Sequence, residues 1–368
     1  MIRALAHQRN RFEALAPAGA SVVSRAGHIL AAFVLAGTFA LSAPAAAFAE
    51  VLESDEIGNK TVAARGLSAD ACPDIGATHA MLVGSDGTVY FSRDVNAEVK
   101  IASLTKIMTA VVALENAPLD LTVTVENEAA TVGESSAGLL EGDTMSLETA
   151  LYALMVPSGN DAGIAVAKSV GAHMSGDAAT GYDTFIAAMN AKAADLGMSH
   201  SVYTNPHGLD FDAFGDEDLH SSARDVATLV SYAMQNDTFR GIVDAGSTTI
   251  TVTSADGTAR NVALQTTDEL MGVYDGICGV KTGTTDDAGY CFAGAVSRDA
   301  GELYSVVLDS PSSDERFSDT VALMDWAYAN IAQRSLVNSD QYVEYLGAHV
   351  PLVAKVAHND WVDVTVDA

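Results

Sequence analysis

Three short groups of residues in this 368-residue chain have the types and spacing to do chemistry. Ser103-Leu104-Thr105-Lys106 sets a hydroxyl and an amine three residues apart, on one face if the segment is helical. Ser103 would then sit in the first turn, where free backbone N–H groups favour a developing negative charge. A serine is a poor nucleophile until a base takes its proton, and a lysine is such a base only when neutral. Burial and a second nearby cation both promote the neutral amine. Ser158-Gly159-Asn160 follows a proline between two helical patterns, and Lys281-Thr282-Gly283 ends an apolar run. Taken singly, each has an ordinary reading: an N-cap with a solvated lysine, a polar turn, a strand-to-turn transition. Together, on helix, loop and strand in that order, they demand three coincidences rather than one.

The elements that must position these groups follow from periodicity. Two apolar runs around Ser85-Asp86-Gly87 read as a β-hairpin starting near Ala80. Helical spacing runs from Ser103 to about Asn116, with Leu104, Ile107, Met108, Val111 and Leu114 on one stripe. Further helices are expected at 146–155, stopped by Pro157, from about Asp161, at 182–196 before Gly197, and at 221–235. The period then changes to two. Strands are expected at Thr248–Thr253, Thr258–Leu264, Gly276–Thr282, Tyr290–Val296 and Leu303–Leu308, with a closing helix at 314–333. Strands at both ends and helices between them imply an α+β fold, an antiparallel sheet flanked by helices with a helical lobe inserted.

With the elements placed, the three groups match the Ser-x-x-Lys, Ser-x-Asn and Lys-Thr-Gly signature of the penicillin-recognising acyl-serine enzymes. Ala-Ser-Leu-Thr-Lys-Ile-Met-Thr-Ala (102–110) resembles the nucleophile segment of the low-molecular-mass D-alanyl-D-alanine carboxypeptidases. Glu-Gly-Asp-Thr (141–144), Leu-Met-Val-Pro-Ser-Gly-Asn-Asp-Ala (154–162) and Asn-Pro-His-Gly-Leu-Asp (205–210) are similar to that family too. So are His-Ser-Ser-Ala-Arg-Asp-Val-Ala (220–227) and Gly-Val-Lys-Thr-Gly-Thr-Thr (279–285). The resemblance implies a β-lactamase/transpeptidase-like fold with Ser103 as nucleophile and Lys106 as its base. It implies that Ser158 relays protons to the leaving amine and that Asn160 holds the substrate peptide and Lys106. Lys281, Thr282 and Gly283 would frame the substrate's terminal carboxylate, and the backbone N–H groups of Ser103 and Thr284 would form the oxyanion hole. Arg316, 35 residues beyond Lys281, would read that carboxylate with its planar fork; the competing reading pairs it with neighbouring Asp314 and Glu315. Gly159 stands where Ala is commoner in the family, a change expected to be tolerated.

The remaining features bound the function. Forty-eight acidic and nineteen basic side chains give a net charge of −29, which argues against nucleic-acid binding and against charge-driven adsorption to anionic lipid. Arg3, Arg9, Arg11 and Arg25 precede an uncharged stretch, Ile29 to Ala49, ending in a small-x-small pattern, so residues 1–49 read as a signal peptide. An uncleaved membrane anchor is the competing reading, and either one exports the body of the chain. The expected organisation is then a flexible lead-in at 50–77, a peptidase domain at 78–334, and the start of a truncated β-rich domain at 335–368. Membrane association would need an uncleaved N-terminal segment or a missing C-terminal anchor.

The nine histidines show no metal-ligand spacing, and neither metal nor cofactor is expected. A structural hydrogen-bonding role is expected for His207 and His220. Cys278 and Cys291 lie on consecutive strands and could pair if the register brought them opposite one another. The reading is an exported, extracytoplasmic serine D,D-carboxypeptidase acting on peptidoglycan stem peptides, with β-lactams as covalent inhibitors. The alternatives are a D,D-endopeptidase, a serine β-lactamase and a catalytically silent cell-wall binder. Many β-lactamases deacylate with a Glu and an Asn four residues later, whereas here Glu217 is followed by Ser221. An intact nucleophile group speaks against a silent binder.

Overall fold

The computed structural model describes residues 51–211 and 218–330, together with the backbone of 342–345 and 348–351. The expected signal peptide, Glu217 and most of 335–368 lie outside the described residues. The described chain opens with β1 (Glu56–Ile57), β2 (Lys60–Thr61) and a single helical turn, α1 (Val62–Arg65). The hairpin read from the sequence is β3 (His79–Gly84) with β4 (Val89–Arg93). The helical lobe follows as α2 (Thr105–Asn116), β5 (Thr122–Thr124), α3 (Asn127–Ala130), β6 (Thr144–Ser146), α4 (Leu147–Met155) and α5 (Asn160–Ser175). It continues through α6 (Ala178–Asp195), α7 (Ala223–Ala233) and α8 (Asp237–Val243). The hairpin β7 (Thr248–Thr253) and β8 (Ala259–Leu264) is followed by β9 (Ile277–Thr285), β10 (Gly289–Arg298), β11 (Gly301–Ser310) and α9 (Ser313–Asn330). Backbone strands β12 (Tyr342–Tyr345) and β13 (Ala348–Pro351) pair with each other.

Seven strands form the main sheet in the order β2-β1-β4-β3-β11-β10-β9, all neighbours antiparallel. First and last parts of the chain are thus neighbours in one sheet, and the lobe is the insertion between them, as the alternation of periods implied. Side chains of β11 alternate between two cores: Tyr304, Val306 and Leu308 face the lobe, while Leu303 and Val307 face α9. Both faces are covered, which is why these strands read as near-continuous apolar runs. Phe317 of α9 meets Phe292 of β10 edge to face at 5.1 Å. Helix α2 is buried on every side from Thr105 to Ala113, so it runs through the centre of the lobe.

Two expectations need correction, and the open question of the cysteine pair is decided. Thr248–Leu264 does not join the main sheet but completes a small sheet, β5-β6-β7-β8, whose first two strands are too short to show a period. Cys278 and Cys291 are free, because the register sets Cys291 opposite Gly283 and leaves Cys278 donating to the Ala295 carbonyl at 3.4 Å. The lead-in is packed rather than flexible. Ile57, Val62, Ile75 and Ala77 are buried in the core under α9. Asp319 accepts from the backbone N–H of Gly76 and Ala77 at 2.8 and 2.9 Å. Arg93 grips Asp55 through Nε and Nη2 at 2.8 and 2.7 Å and donates to the carbonyls of Ile75 and Ala77. Those partners lie far away in sequence, so no local pattern announces them.

Removing one member of that buried pair strands the other charge. Asp55→Ala should cost about 3–5 kcal/mol in urea unfolding, and Asp55→Leu combined with Arg93→Met should cost far less. A loss below about 1 kcal/mol for Asp55→Ala would mean that this segment does not hold to the sheet as described.

Candidate active site

Ser103 lies not in the α-helix itself but in a 3-10 turn, Ala102–Leu104, that feeds α2. Edge strand β9 passes directly over this turn. A Cβ on Gly283 would stand 2.9 Å from the Ile101 carbonyl oxygen and 3.2 Å from the Ser103 nitrogen, so only glycine admits this approach. The glycine of Lys281-Thr282-Gly283 thereby brings the backbone of β9 beside the nucleophile.

Lys106, the second residue of α2, is fully buried. Its Nζ lies 2.8 Å from Ser103 Oγ, 2.8 Å from Asn160 Oδ1 and 2.7 Å from the His207 carbonyl oxygen. That carbonyl can only accept. Asn160 Nδ2 donates to the Gly133 carbonyl at 3.1 Å, which turns Oδ1 toward the lysine as a second acceptor. Two N–H groups are thereby assigned, and the remaining position on nitrogen faces the serine hydroxyl. In a neutral amine that position is a lone pair, aimed at the proton a nucleophilic serine must lose.

The electrostatics favour the neutral form. Burial holds the pKa of Lys106 well below the ordinary lysine value, and the charge of Lys281 lowers it further, with Asp161 opposing. Lys281, also buried, is lowered to about 7 by desolvation first and by Arg316 second, while Asp268 opposes. His207 is held down to about 3 by burial and then by Lys106, so its ring is neutral at physiological pH. Its Nδ1 accepts from the Leu209 N–H at 3.2 Å, and the expected structural role holds, extended by the carbonyl bond to Lys106.

Ser158 is buried between α4 and α5 with φ of 64°, a left-handed conformation uncommon for serine. Its hydroxyl makes no hydrogen bond among the described residues, so Ser158, two residues before Asn160, does not join the bonded cluster of Ser103, Lys106 and Asn160. Gly159 is more constrained than expected. A Cβ there would lie 2.5 Å from Asp161 Oδ1 and 2.7 Å from the Ala153 carbonyl oxygen, so in this chain the glycine is required by packing. The sequence marks Asp161 only as the start of a helix, yet it accepts from Ser136 Oγ and from the N–H groups of Ala137, Leu139 and Ala162, fixing the loop that carries Gly133 and Ser135. Ser135 in turn accepts the Asn160 N–H through its carbonyl at 2.8 Å.

A second cluster forms at the end of β9. Arg316 is buried and turned to the strand rather than to Asp314 or Glu315. Its Nη1 donates to Thr284 Oγ1 at 2.9 Å and to the Gly283 carbonyl at 3.3 Å, and Nη2 donates to Ser313 Oγ. Thr282 shares a 2.6 Å hydroxyl contact with Thr267. Beyond β9 the main sheet has no further strand among the described residues, so a backbone edge runs along the cluster of Ser103 and Lys106.

The sequence profile of the D-alanyl-D-alanine carboxypeptidases matches residues 66–312, which span all three groups and stop just short of Arg316. The chain belongs to the D-alanyl-D-alanine carboxypeptidase family. It is 33% identical over 250 residues to the D-alanyl-D-alanine carboxypeptidase of Streptomyces sp. (strain K15), a match covering 66% of this chain and 84% of that protein. It is 32% identical over 254 residues to the D-alanyl-D-alanine carboxypeptidase DacB2 of Mycobacterium tuberculosis, covering 68% and 81% of the two chains. The crystal structure of the Streptomyces K15 DD-transpeptidase superposes with a TM-score of 0.65 at 31% identity, covering 70% of this chain and 98% of that one. The mixed helix and antiparallel-sheet fold is therefore that of the D,D-peptidases, and the chain is a serine-type enzyme of the family.

Asn160→Asp tests the assignment of the lysine's hydrogen bonds. A carboxylate 2.8 Å from Nζ favours the ammonium, so the pKa of Lys106 rises and the free base appears only at higher pH. Release of D-alanine from a D-alanyl-D-alanine peptide should fall at least about tenfold at neutral pH, and the optimum of kcat/KM should move upward. A profile identical to the parent's would show that Lys106 is not the base.

Proposed function

We propose that this protein is an exported acyl-serine carboxypeptidase that removes the terminal D-alanine of peptidoglycan stem peptides. The observation that carries this reading is the position of Lys106 Nζ, with two acceptors on two sides and the Ser103 hydroxyl on the third. Ser103 Oγ attacks the carbonyl of the penultimate residue while Lys106 takes its proton. The oxyanion forms between the backbone N–H groups of Ser103 and Thr284, donors fixed before the charge appears. The tetrahedral intermediate expels D-alanine, whose amine receives the proton from Lys106 by way of Ser158. Water then attacks the ester, with Lys106 again as base, and frees Ser103.

Binding follows from the same residues. The free edge of β9 suits an extended peptide laid alongside as a further strand. Lys281, Thr282 and Gly283 frame the terminal carboxylate, and Arg316, already bonded to Thr284, supplies a cation at the end of that strand. A β-lactam offers a strained amide and a carboxylate in the same arrangement and acylates the same serine. Deacylation of the β-lactamase kind finds no support at Ser221, which is buried with its hydroxyl bonded to Ser201 at 2.8 Å. The substrate requires export, consistent with the signal-peptide reading of residues 1–49, and no helix among the described residues is long and apolar enough to cross a membrane.

Fluorescent penicillin should label the protein on Ser103, with D-alanine released from a pentapeptide. Ser103→Ala should abolish labelling with little change in stability, since the hydroxyl caps no helix. Lys106→Arg should be equally inactive, because guanidinium keeps its proton. Labelling that persists in Ser103→Ala would overturn the reading.

Arg316→Ala should weaken turnover of peptides ending in D-alanyl-D-alanine by roughly 1.5–3 kcal/mol, the worth of a charged hydrogen bond. Amidating the peptide's C-terminus should cost the parent a similar amount and the variant little more. Equal losses in both would remove Arg316 as the reader of the carboxylate.

A further inference from the structure

One buried acid near this site has no part in the mechanism above. Asp268 lies between β8 and β9, only 7% exposed. Its Oδ1 accepts from the Leu270 N–H at 2.9 Å, whereas its Oδ2 is buried without a hydrogen-bond partner among the described residues. A carboxylate oxygen left bare in the interior is costly unless a charge compensates it. The segment is pinned to the site, because Thr267, the preceding residue, holds the Thr282 hydroxyl at 2.6 Å, one position along β9 from Lys281. The groups whose charge acts on Asp268 are Lys281 from β9 and Arg316 from α9. Its own charge also reaches Cys278 on β9. Neither lysine nor arginine reaches Oδ2 directly, so Asp268 acts through its field and not through a closed ion pair.

We infer that Asp268 is a positioning residue of this active site, the buried counter-ion that favours the charged form of Lys281 and, through Lys281, helps leave Lys106 free to take the serine proton. The inference rests on the acyl-serine reading given above and adds a third member to its charge balance. Signs alternate along the series: an anion at Asp268, a cation at Lys281, a neutral amine at Lys106. Even with Asp268 opposing, burial and Arg316 bring Lys281 down to about 7, so without that anion Lys281 would shed its proton at still lower pH. With that proton would go both the cation facing the substrate's carboxylate and the field that, after burial, holds Lys106 neutral. Asp161, the acid that acts on Lys106 from α5, pulls the other way, and the charge of Lys281 adds to burial in outweighing it. Burial raises the pKa of Asp268 itself to about 6, with the Leu270 N–H opposing first and Lys281 and Arg316 after it. The series is therefore complete only between the two titrations, with Asp268 ionised and Lys281 still charged.

The test is the pH profile of Ser103 acylation by a fluorescent penicillin, measured on the full chain carrying Asp268→Asn. Asparagine keeps the shape and the bond from Leu270 but loses the charge. In the parent, the rise with pH reports Lys106 losing its proton and the fall reports Lys281 losing its own. In the variant the falling limb should move about one pH unit toward acid, and the rising limb should move toward base, so the profile narrows from both sides. Asp268→Glu should restore both limbs. A merely structural role would lower the whole curve and leave its limbs in place, and that result would overturn the inference. In the unaltered protein, the Lys281 ε-carbon resonance should show a second inflection as Asp268 protonates; a single inflection would likewise overturn it. A parent protein that takes no label at any pH would instead sink the acyl-serine reading.

Discussion

Lys106 carries an amine into the first turn of a helix that is buried on every side from Thr105 to Ala113, and much of the lobe is arranged around that fact. A lysine is almost never fully buried unless its nitrogen is hydrogen-bonded or paired. Here its partners come from three places: the turn before its own helix, the first residue of α5, and the loop carrying His207. None is an acid in contact with it. The arrangement satisfies the hydrogen bonds of an amine while withholding the carboxylate that would stabilise an ammonium. A salt bridge in the same place would have made a sounder core and a useless base.

The other buried cations belong to the same constraint. Lys281 and Arg316 lie close enough to disfavour each other's charge, in a protein whose net charge is strongly negative. Their proximity is useful because a substrate with a free carboxylate brings an anion beyond the one at Asp268. Gly283 allows this cationic strand to pass against the serine's own backbone, so one strand can serve both carboxylate and oxyanion. The rest of the sheet holds β9 in register, and α9 fixes Arg316 against its end. Packing, charge and reactivity here are one design, in which the buried basic groups of the site are hydrogen-bonded to neutral groups rather than to carboxylates.

Much of this was legible in the sequence, for identifiable reasons. Ser103 and Lys106 stand at the start of a segment with a strong helical stripe, and the strands of the main sheet are long apolar runs, so local patterns sufficed. Pro157 and Gly197 marked helix ends where α4 and α6 stop, the latter with Gly197 at φ of 71°. What was missed depends on contacts distant in sequence. Segment 51–77 looks like a loop because its anchors, Arg93 and Asp319, lie elsewhere. The cysteine register is set by pairing along the whole of β9 and β10, not by the spacing of two residues. Asp161 and Asp268 are single acids in polar stretches of an acidic chain, and only burial distinguishes them from solvated neighbours. The short strands β5 and β6 carry three residues each, too few to show any period.

The claim on which the account turns is that Lys106 is an amine at working pH, and its titration can be observed directly. In protein labelled with carbon-13 at the lysine ε-position, the resonance of Lys106 can be assigned by its absence in Lys106→Arg and followed against pH. The account predicts a midpoint well below the ordinary lysine value, with Lys106 already deprotonated where solvated lysines remain charged. A midpoint near about 10.4, with the solvated lysines, would contradict it.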